Sequence, residues 1–301
     1  MEHKTVAHFM YVPFTGLGLY GGHRGKRWLK NRIKIFKQFT VPSLQQQTNQ
    51  NFVLWVSWRH EDRLDHDVMD LWFDLQEMFP NRIVFTYSGV CFWDDKYPKE
   101  EAHARLVEAL HGSMGNLINC LGEADTVLMT IQPSDDCYYA TAVDEIQATL
   151  QDNSLEVFGY KHGFVMDYIS GRVAEWNPIT TPPFYTIKFP REIFVDPIKH
   201  VKHTGPYESH EYVKDFLNAY YCDYRGFIVG THGENISTVF DHPFAKETEE
   251  KPVGFPEFAP LKLKSSVRKS LMRMLPHGWQ RKLRYWLGEC FYSRLYRWLR
   301  S

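Results

Sequence analysis

Two adjacent carboxylates, Asp135 and Asp136, stand in the run Gln132-Pro133-Ser134-Asp135-Asp136, directly after the apolar segment Ala124–Ile131. Adjacent acids of this kind hold Mg2+ or Mn2+ through one or two oxygens and leave the remaining positions to water and a diphosphate. A cation so placed neutralises the charge on a departing diphosphate as a Lewis acid. The same letters have a second reading, in which Ser134 or Asp135 caps the helix that follows. His232 opens the run His232-Gly233-Glu234-Asn235-Ile236-Ser237 after another apolar segment, Gly226–Gly230. As a metal ligand it would join Asp136 from a neighbouring strand end; as an isolated histidine it would be a turn residue bonded to the backbone. A third polar group lies early, where Thr15 precedes a glycine-rich stretch (Gly16, Gly18, Gly21, Gly22, Gly25) that also holds Arg24, Lys26 and Arg27. Thr15, Arg24 and Arg27 are the candidate nucleotide contacts of that stretch, which lacks a P-loop pattern and the third glycine of a dinucleotide fingerprint. A solvated surface loop is its other reading.

These residues need a frame that brings strand ends together. Apolar runs of strand length occur at Thr5–Phe14, Phe52–Trp58, Ile83–Tyr87 and Ala124–Ile131, and helical spacing at Lys26–Phe39, Leu64–Phe79, Glu100–Leu121 and Tyr139–Leu150. Such alternation predicts a mostly parallel sheet with helices on both faces, and in open sheets of that kind ligands sit at the carboxyl ends of the strands. Beyond residue 150 the rhythm predicts strands at Glu156–Ile169, Phe184–Phe189 and Gly226–Gly230, with a helix at Glu208–Tyr221. This half reads as a mixed extension of the same sheet. The prolines of Pro252–Pro260 mark a hinge into a tail, so the division is residues 1–260 as one α/β domain and 261–301 as the tail.

Hydrophobic residues make up 44% and charged residues 24% of the 301, which excludes a disordered or collagen-like chain. Five widely spaced cysteines without a CxxC pair argue against a disulfide framework or zinc site and for a reducing, cytoplasmic compartment. The net charge of −1 hides an asymmetry: residues 261–301 carry eleven basic side chains against one acid, Glu289, a tail of +10 on a body of −11. Within it Trp279, Leu283, Trp286, Leu287, Cys290, Phe291, Leu295, Trp298 and Leu299 fall on one helical stripe. A basic amphipathic helix with Trp and Phe on its apolar side lies in the interface of an anionic membrane, and its other reading is a helix docked on the body. No run is long and apolar enough to cross a bilayer, so the expected location is peripheral, on the inner face of the membrane.

The order Trp28-Leu29, Arg32, Phe36, Val41-Pro42-Ser43-Leu44, Gln47-Thr48 and Phe52-Val53-Leu54-Trp55 resembles the N-terminal part of a rhamnosyltransferase family of bacterial GT-A glycosyltransferases. In that family a helix ends in a Pro-Ser-Leu turn and a Gln-Thr pair precedes the second strand. Ser134-Asp135-Asp136 falls at its acidic DxD-type motif, and His232-Gly233-Glu234-Asn235-Ile236-Ser237 resembles its late His-Gly-Asx-Asn-hydrophobic-Ser signature. One departure is plain: Gln132-Pro133-Ser134 stands where Arg-Leu-Asp is usual, so the first carboxylate of the motif is absent.

The resemblance implies a GT-A-like α/β fold and a glycosyltransferase that moves a sugar from a nucleotide-diphosphate donor to a glycan or lipid-linked acceptor in cell-surface polysaccharide synthesis. Donor contacts would come from Thr15, Arg24, Arg27, Ser134 and Asp135, and Mn2+ or Mg2+ would be held by Asp136 and His232. An inverting reaction needs a carboxylate to take the acceptor proton. Of Asp167, Glu175, Glu208 and Glu211, the last two are preferred because the turn Gly205-Pro206-Tyr207 precedes their helix; their other reading is dipole stabilisation in a first helical turn. Two further readings stay open: an inert sugar-nucleotide-binding or scaffold protein of the same fold, kept alive by the missing carboxylate, and a nucleic-acid-binding protein using the tail. Nucleic acid is not an expected partner, since the tail carries no groove-reading motif.

Overall fold

The computed structural model describes residues 6–16, 26–88, 99–152, 154–178, 182–204, 213–232, 240 and 245–262. Four strands, β1 (Val6–Pro13), β2 (Val53–Ser57), β3 (Ile83–Thr86) and β4 (Thr126–Ile131), pair in parallel in the spatial order β3-β2-β1-β4. They read as near-continuous apolar runs because helices cover both faces, so neither set of alternating side chains meets water. The register aligns Pro13 with Ser57 and Ser57 with Thr86, and Tyr11 with Ile131, so all four carboxyl ends open on one edge.

Helices α1 (Lys26–Ile35), α2 (Val41–Gln45), α3 (His66–Met78), α4 (Lys99–Ile118) and α5 (Ala142–Thr149) connect or flank these strands. Leu29 and Ile33 of α1, Leu71 and Leu75 of α3, and Val143 and Ile146 of α5 share one buried cluster. Leu106, Leu110 and Leu117 of α4 build a second with Phe9, Val127 and Met129 of β1 and β4. The expected helix Lys26–Phe39 runs further than its pattern: α1 passes through a π turn, Phe36–Thr40, directly into α2, with Pro42 in the first turn of α2. Pro42 has no N–H to donate to the preceding turn, and the wider π spacing falls where that helical bond is missing. The π turn keeps Phe36, Phe39 and Thr40 all buried.

The second half is mixed, as its rhythm suggests. β4 pairs antiparallel with β8 (Tyr185–Pro190), β8 with β6 (Val157–Asp167), β6 with β7 (Val173–Trp176), and β7 with β10 (Ala245–Thr248). β9 (Ala219–Thr231) runs parallel to β6 on its other edge and also pairs with the two-residue β5 (Cys137–Tyr138). The short helices α6 (Arg191–Phe194), α7 (Pro197–His203) and α8 (Val213–Phe216) complete it.

Two expectations need correction. The helix Glu208–Tyr221 is not continuous: α8 ends at Phe216 and Ala219, Tyr220 and Tyr221 already pair with Val157, Phe158 and Gly159. A long-range strand partner overrides the local helical spacing, as it commonly does for aromatic-rich segments. The segment around Pro252–Pro260 is not a free hinge. Leu261 is 3% exposed and donates its N–H to Tyr168 O at 2.6 Å, Gln38 Nε2 bonds Ala259 O at 2.8 Å, and Ala140 N bonds Gly254 O at 2.8 Å. Phe255 and Phe258 pack with Leu261 over Phe39 and Tyr168. The residues of the basic tail after Lys262 lie outside the described residues.

Candidate functional site

The acidic run forms the turn between β4 and β5, at the carboxyl edge of the parallel strands, where both ladders end. Its backbone is held from below: Gln132 N–H bonds Tyr11 O at 2.8 Å, Gln132 Nε2 bonds Asp136 O at 3.0 Å, and Tyr168 donates its hydroxyl to Asp135 O at 2.9 Å. The Tyr168 ring in turn stacks on Phe39, with centroids 3.5 Å apart, which fixes the donor by packing against the π turn.

Arg32, from α1, reaches across to this turn. Its Nε donates to Ser134 Oγ at 2.8 Å, Nη1 to Asp135 Oδ2 at 2.5 Å and Nη2 to Asp135 Oδ1 at 2.9 Å. That is a bidentate fork on one carboxylate, the strongest side-chain pairing geometry available to arginine. His232, at the end of β9, is buried with Nε2 3.0 Å from Asp135 Oδ2 and 3.0 Å from Arg32 Nη1. The two contacts exclude each other as full hydrogen bonds at one tautomer, since a protonated Nε2 donates to the carboxylate and a bare one accepts from the guanidinium.

Asp136 points elsewhere. Its Oδ1 accepts the N–H of Gly230 at 2.9 Å. Glycine is required there: a Cβ on residue 230 would strike the Tyr168 ring and the Asp135 carbonyl. Burial, and then the neighbouring Asp135 charge, push the Asp136 carboxyl well above the usual range. For Asp135 burial works in the same upward direction, but the Arg32 charge and the His232 contact outweigh it, and its carboxyl lies below the ordinary value. The turn therefore holds a paired Asp135 carboxylate beside a buried carboxyl whose ionisation burial and that neighbouring charge disfavour.

A second polar cluster occupies the same edge at the ends of β1 and β2. Thr15 Oγ1 donates to Asp62 Oδ2 at 2.5 Å and accepts the Arg59 N–H at 3.1 Å, while Arg59 Nη2 bonds Asp62 Oδ1 at 2.9 Å. Ser57 O accepts N–H groups from Phe14, Thr15 and Gly16, and Ser57 Oγ donates to Gly16 O. A Cβ on Gly16 would collide with the Trp58 backbone, so the first strand can leave the sheet only through glycine here. Trp58 Nε1, buried beside the cluster, has no partner among the described residues.

Of the expected donor contacts, Ser134 and Asp135 are thus together and Thr15 is on the same edge. Arg27 is exposed on the first turn of α1, and Arg24 lies outside the described residues, as do Glu208 and Glu211. The expected metal pair does not meet as expected: His232 contacts Asp135, whereas Asp136 is bonded to Gly230. Among the described residues no three His, Cys, Asp or Glu side chains converge to hold a metal ion, and Asp135 and His232, which touch each other, are both already in contact with the Arg32 guanidinium. This donor set does not fit a divalent cation as it stands. Asp62 and Arg59 escaped the sequence reading because nothing sets them apart in the charged run Arg59-His60-Glu61-Asp62-Arg63-Leu64-Asp65; only burial of Asp62 at 4% exposure does.

Fold and site together define an α/β protein with a buried, charge-paired polar site along the carboxyl edge of a parallel sheet. A family model described as "Putative rhamnosyl transferase" matches residues 24–72, from α1 into α3, and bears out the resemblance carried by Trp28 to Trp55. No curated protein matches the chain. Among solved structures, S. aureus TarS is similar over 75% of this chain and 37% of its own, at 12% identity and a TM-score of 0.38. TarS 1-349 in complex with UDP (9% identity, TM-score 0.37, 75% and 61% covered) and TarS 1-349 (11%, 0.38, 74% and 60%) are similar to a like degree. The chain spans less than two thirds of each of these, and nothing about substrate follows from likeness this loose.

Proposed function

We propose that the chain is a glycosyltransferase that binds a nucleotide-diphosphate sugar along the carboxyl edge of β1–β4. The observation that carries this reading is that the family-matched segment, residues 24–72, supplies Arg32, Arg59 and Asp62, the residues that build both polar clusters of that edge. In this reading the Thr15–Asp62–Arg59 cluster shapes the end where the nucleoside lies, and the turn Ser134–Asp136 with Arg32 faces the diphosphate. Strand ends of a parallel sheet are where such ligands bind. A hexosyl donor, rhamnosyl by the family's description, and a glycan or lipid-linked acceptor for surface polysaccharide complete the proposal, with Glu208 or Glu211 taking the acceptor proton.

Thermal stabilisation by UDP, dTDP and GDP tests it. A ligand of the native state at roughly 100 times its Kd adds about 2.7 kcal/mol of stability. The expected result is a raised melting point for one diphosphate, lost in Asp135→Asn, and slow release of that diphosphate from its sugar donor. No shift with any of the three returns the chain to the inert scaffold reading. A loss of about 10² or more in turnover in Glu208→Gln or Glu211→Gln with donor binding intact supports the base; full turnover in both removes it.

A further inference from the structure

The turn that would be expected to hold a metal already holds a cation. Arg32 brings a delocalised positive charge to within 2.5 and 2.9 Å of the two Asp135 oxygens and 3.0 Å of His232 Nε2, and it is tied a fourth time to Ser134 Oγ. A divalent ion bound by Asp135 Oδ2 and His232 Nε2 would compete with Arg32 Nη1, which already contacts both atoms, and would disturb a bidentate, largely buried pair with side-chain exposures of 14% and 8%. Breaking such a pair leaves an uncompensated buried charge, which is costly. Ser134 strengthens the point. Its side chain is neutral, so the turn gains no further negative charge there to draw a second cation, and its hydroxyl serves Arg32 as an acceptor.

We propose that Arg32 is the resident cation of this site: it holds Asp135 and His232 in place of a divalent metal, and the site takes a nucleoside diphosphate without Mn2+ or Mg2+. The proposal rests on the glycosyltransferase reading for its ligand, but the cation claim stands apart from it. The guanidinium has five N–H donors in a fixed fork; its contacts to Ser134, Asp135 and His232 engage four of them, and the second N–H of Nη2 is the one proposed to meet a phosphate oxygen. Arg32 also lies 6.0 Å over the Trp28 ring.

Two measurements on the full chain decide it. Titration with Mn2+, followed by the paramagnetic resonance signal of the free ion, is expected to show no stoichiometric uptake by the parent protein, and uptake by Arg32→Ala or Arg32→Gln, which remove the competing cation from Asp135 and His232. Stoichiometric uptake by the parent that disappears in His232→Ala would overturn the proposal, and this comparison needs no substrate and no Arg32 variant. Calorimetry with the diphosphate that stabilises the protein is expected to give the same affinity in EDTA as in Mn2+. Arg32→Gln should weaken binding in EDTA about tenfold or more, the loss of a charge-assisted contact. Binding that requires Mn2+ in the parent would sink the metal-free claim and leave the glycosyltransferase reading intact. Should no diphosphate bind under either condition, it is the transferase reading that fails, while the resonance titration still decides whether Arg32 keeps a metal out.

Discussion

At the scale of single residues, two buried histidines set a pH limit on the fold. His8, on β1, has Nε2 2.7 Å from Thr130 Oγ1 of β4 and Nδ1 3.1 Å from Gln147 Nε2 of α5, and burial lowers its pKa to about 3. His200 packs against Phe189 and Phe194 with Nδ1 3.1 Å from Phe194 O; burial lowers it to about 4, with the neighbouring His203 acting in the same direction. The folded pKa of each base is depressed, so between its folded value and about 6.5 the unfolded chain binds a proton that the native state refuses. Stability is therefore complete above about 6.5 and falls as pH drops through that window, by about 2 kcal/mol per histidine at pH 5. Asp136, raised in the fold, works in the opposite direction. The informative comparison is thus between variants and parent: His8→Asn and His200→Asn should each narrow the gap between urea midpoints at pH 7.5 and pH 5. Equal gaps in parent and variants would show that neither histidine is held neutral. Sequence legibility at this scale was uneven. Asp135 and His232 stood out by type and place, but Arg32 entered only through its family resemblance, since its partner lies 103 positions away and no local pattern connects them. Gly230, which admits the Asp136 contact, looked like one strand glycine among many.

At the scale of elements, the parallel half was legible because each strand is a short apolar run bounded by loops and each helix has its own amphipathic stripe. The mixed half was less so. β5, β7 and β10 have two to four residues each, too few for any period, and β9 was split between a helix and a strand because its pairing partner β6 is distant in sequence. The segment Lys251–Lys262 was misjudged for a physical reason: prolines break regular structure but do not prevent an extended chain from packing. Leu261, Phe255 and Phe258 cover the Phe39–Tyr168 stack, and that stack carries the Tyr168 hydroxyl to the acidic turn. A chain ending at Glu250 should therefore melt well below one ending at Lys262. Burial of Leu261 alone is worth about 2 kcal/mol, and the shorter chain should also lose the stabilisation by diphosphate. Matching melting points for the two chains would mean that the segment merely lies along the surface.

At the scale of the whole molecule, charge is segregated, and the fold says where the division lies. Lys30 and Lys34 of α1 and Lys37 of the π turn line one exposed face, bordering a groove of about 540 Å³ that Lys262 also lines. Lys34 Nζ bonds the Lys262 carbonyl at 2.8 Å, so the chain enters its tail of +10 from the lysine face of the body. Among the described residues no helix is long and apolar enough to cross a membrane. On the peripheral-membrane proposal, an anionic surface would meet the lysine face at the point where the chain passes Lys262. Each cation near such a surface contributes about 1 kcal/mol, less for Lys30 and Lys37, whose partners Asp67 and Asp74 lie 3.4 and 2.5 Å away. Flotation of the full chain should carry it up with vesicles containing phosphatidylserine and leave it behind with phosphatidylcholine alone, while a chain ending at Lys262 stays at the bottom with both. Replacing Lys30, Lys34 and Lys37 by Gln in the full chain should weaken the anionic co-flotation without abolishing it, since the larger share of the charge and the apolar stripe from Trp279 to Leu299 lie in the tail. A full chain that never floats with anionic vesicles would defeat the peripheral reading and leave the tail to bind the acidic body; one that floats equally with neutral vesicles would assign the binding to its aromatic stripe and not to its charge.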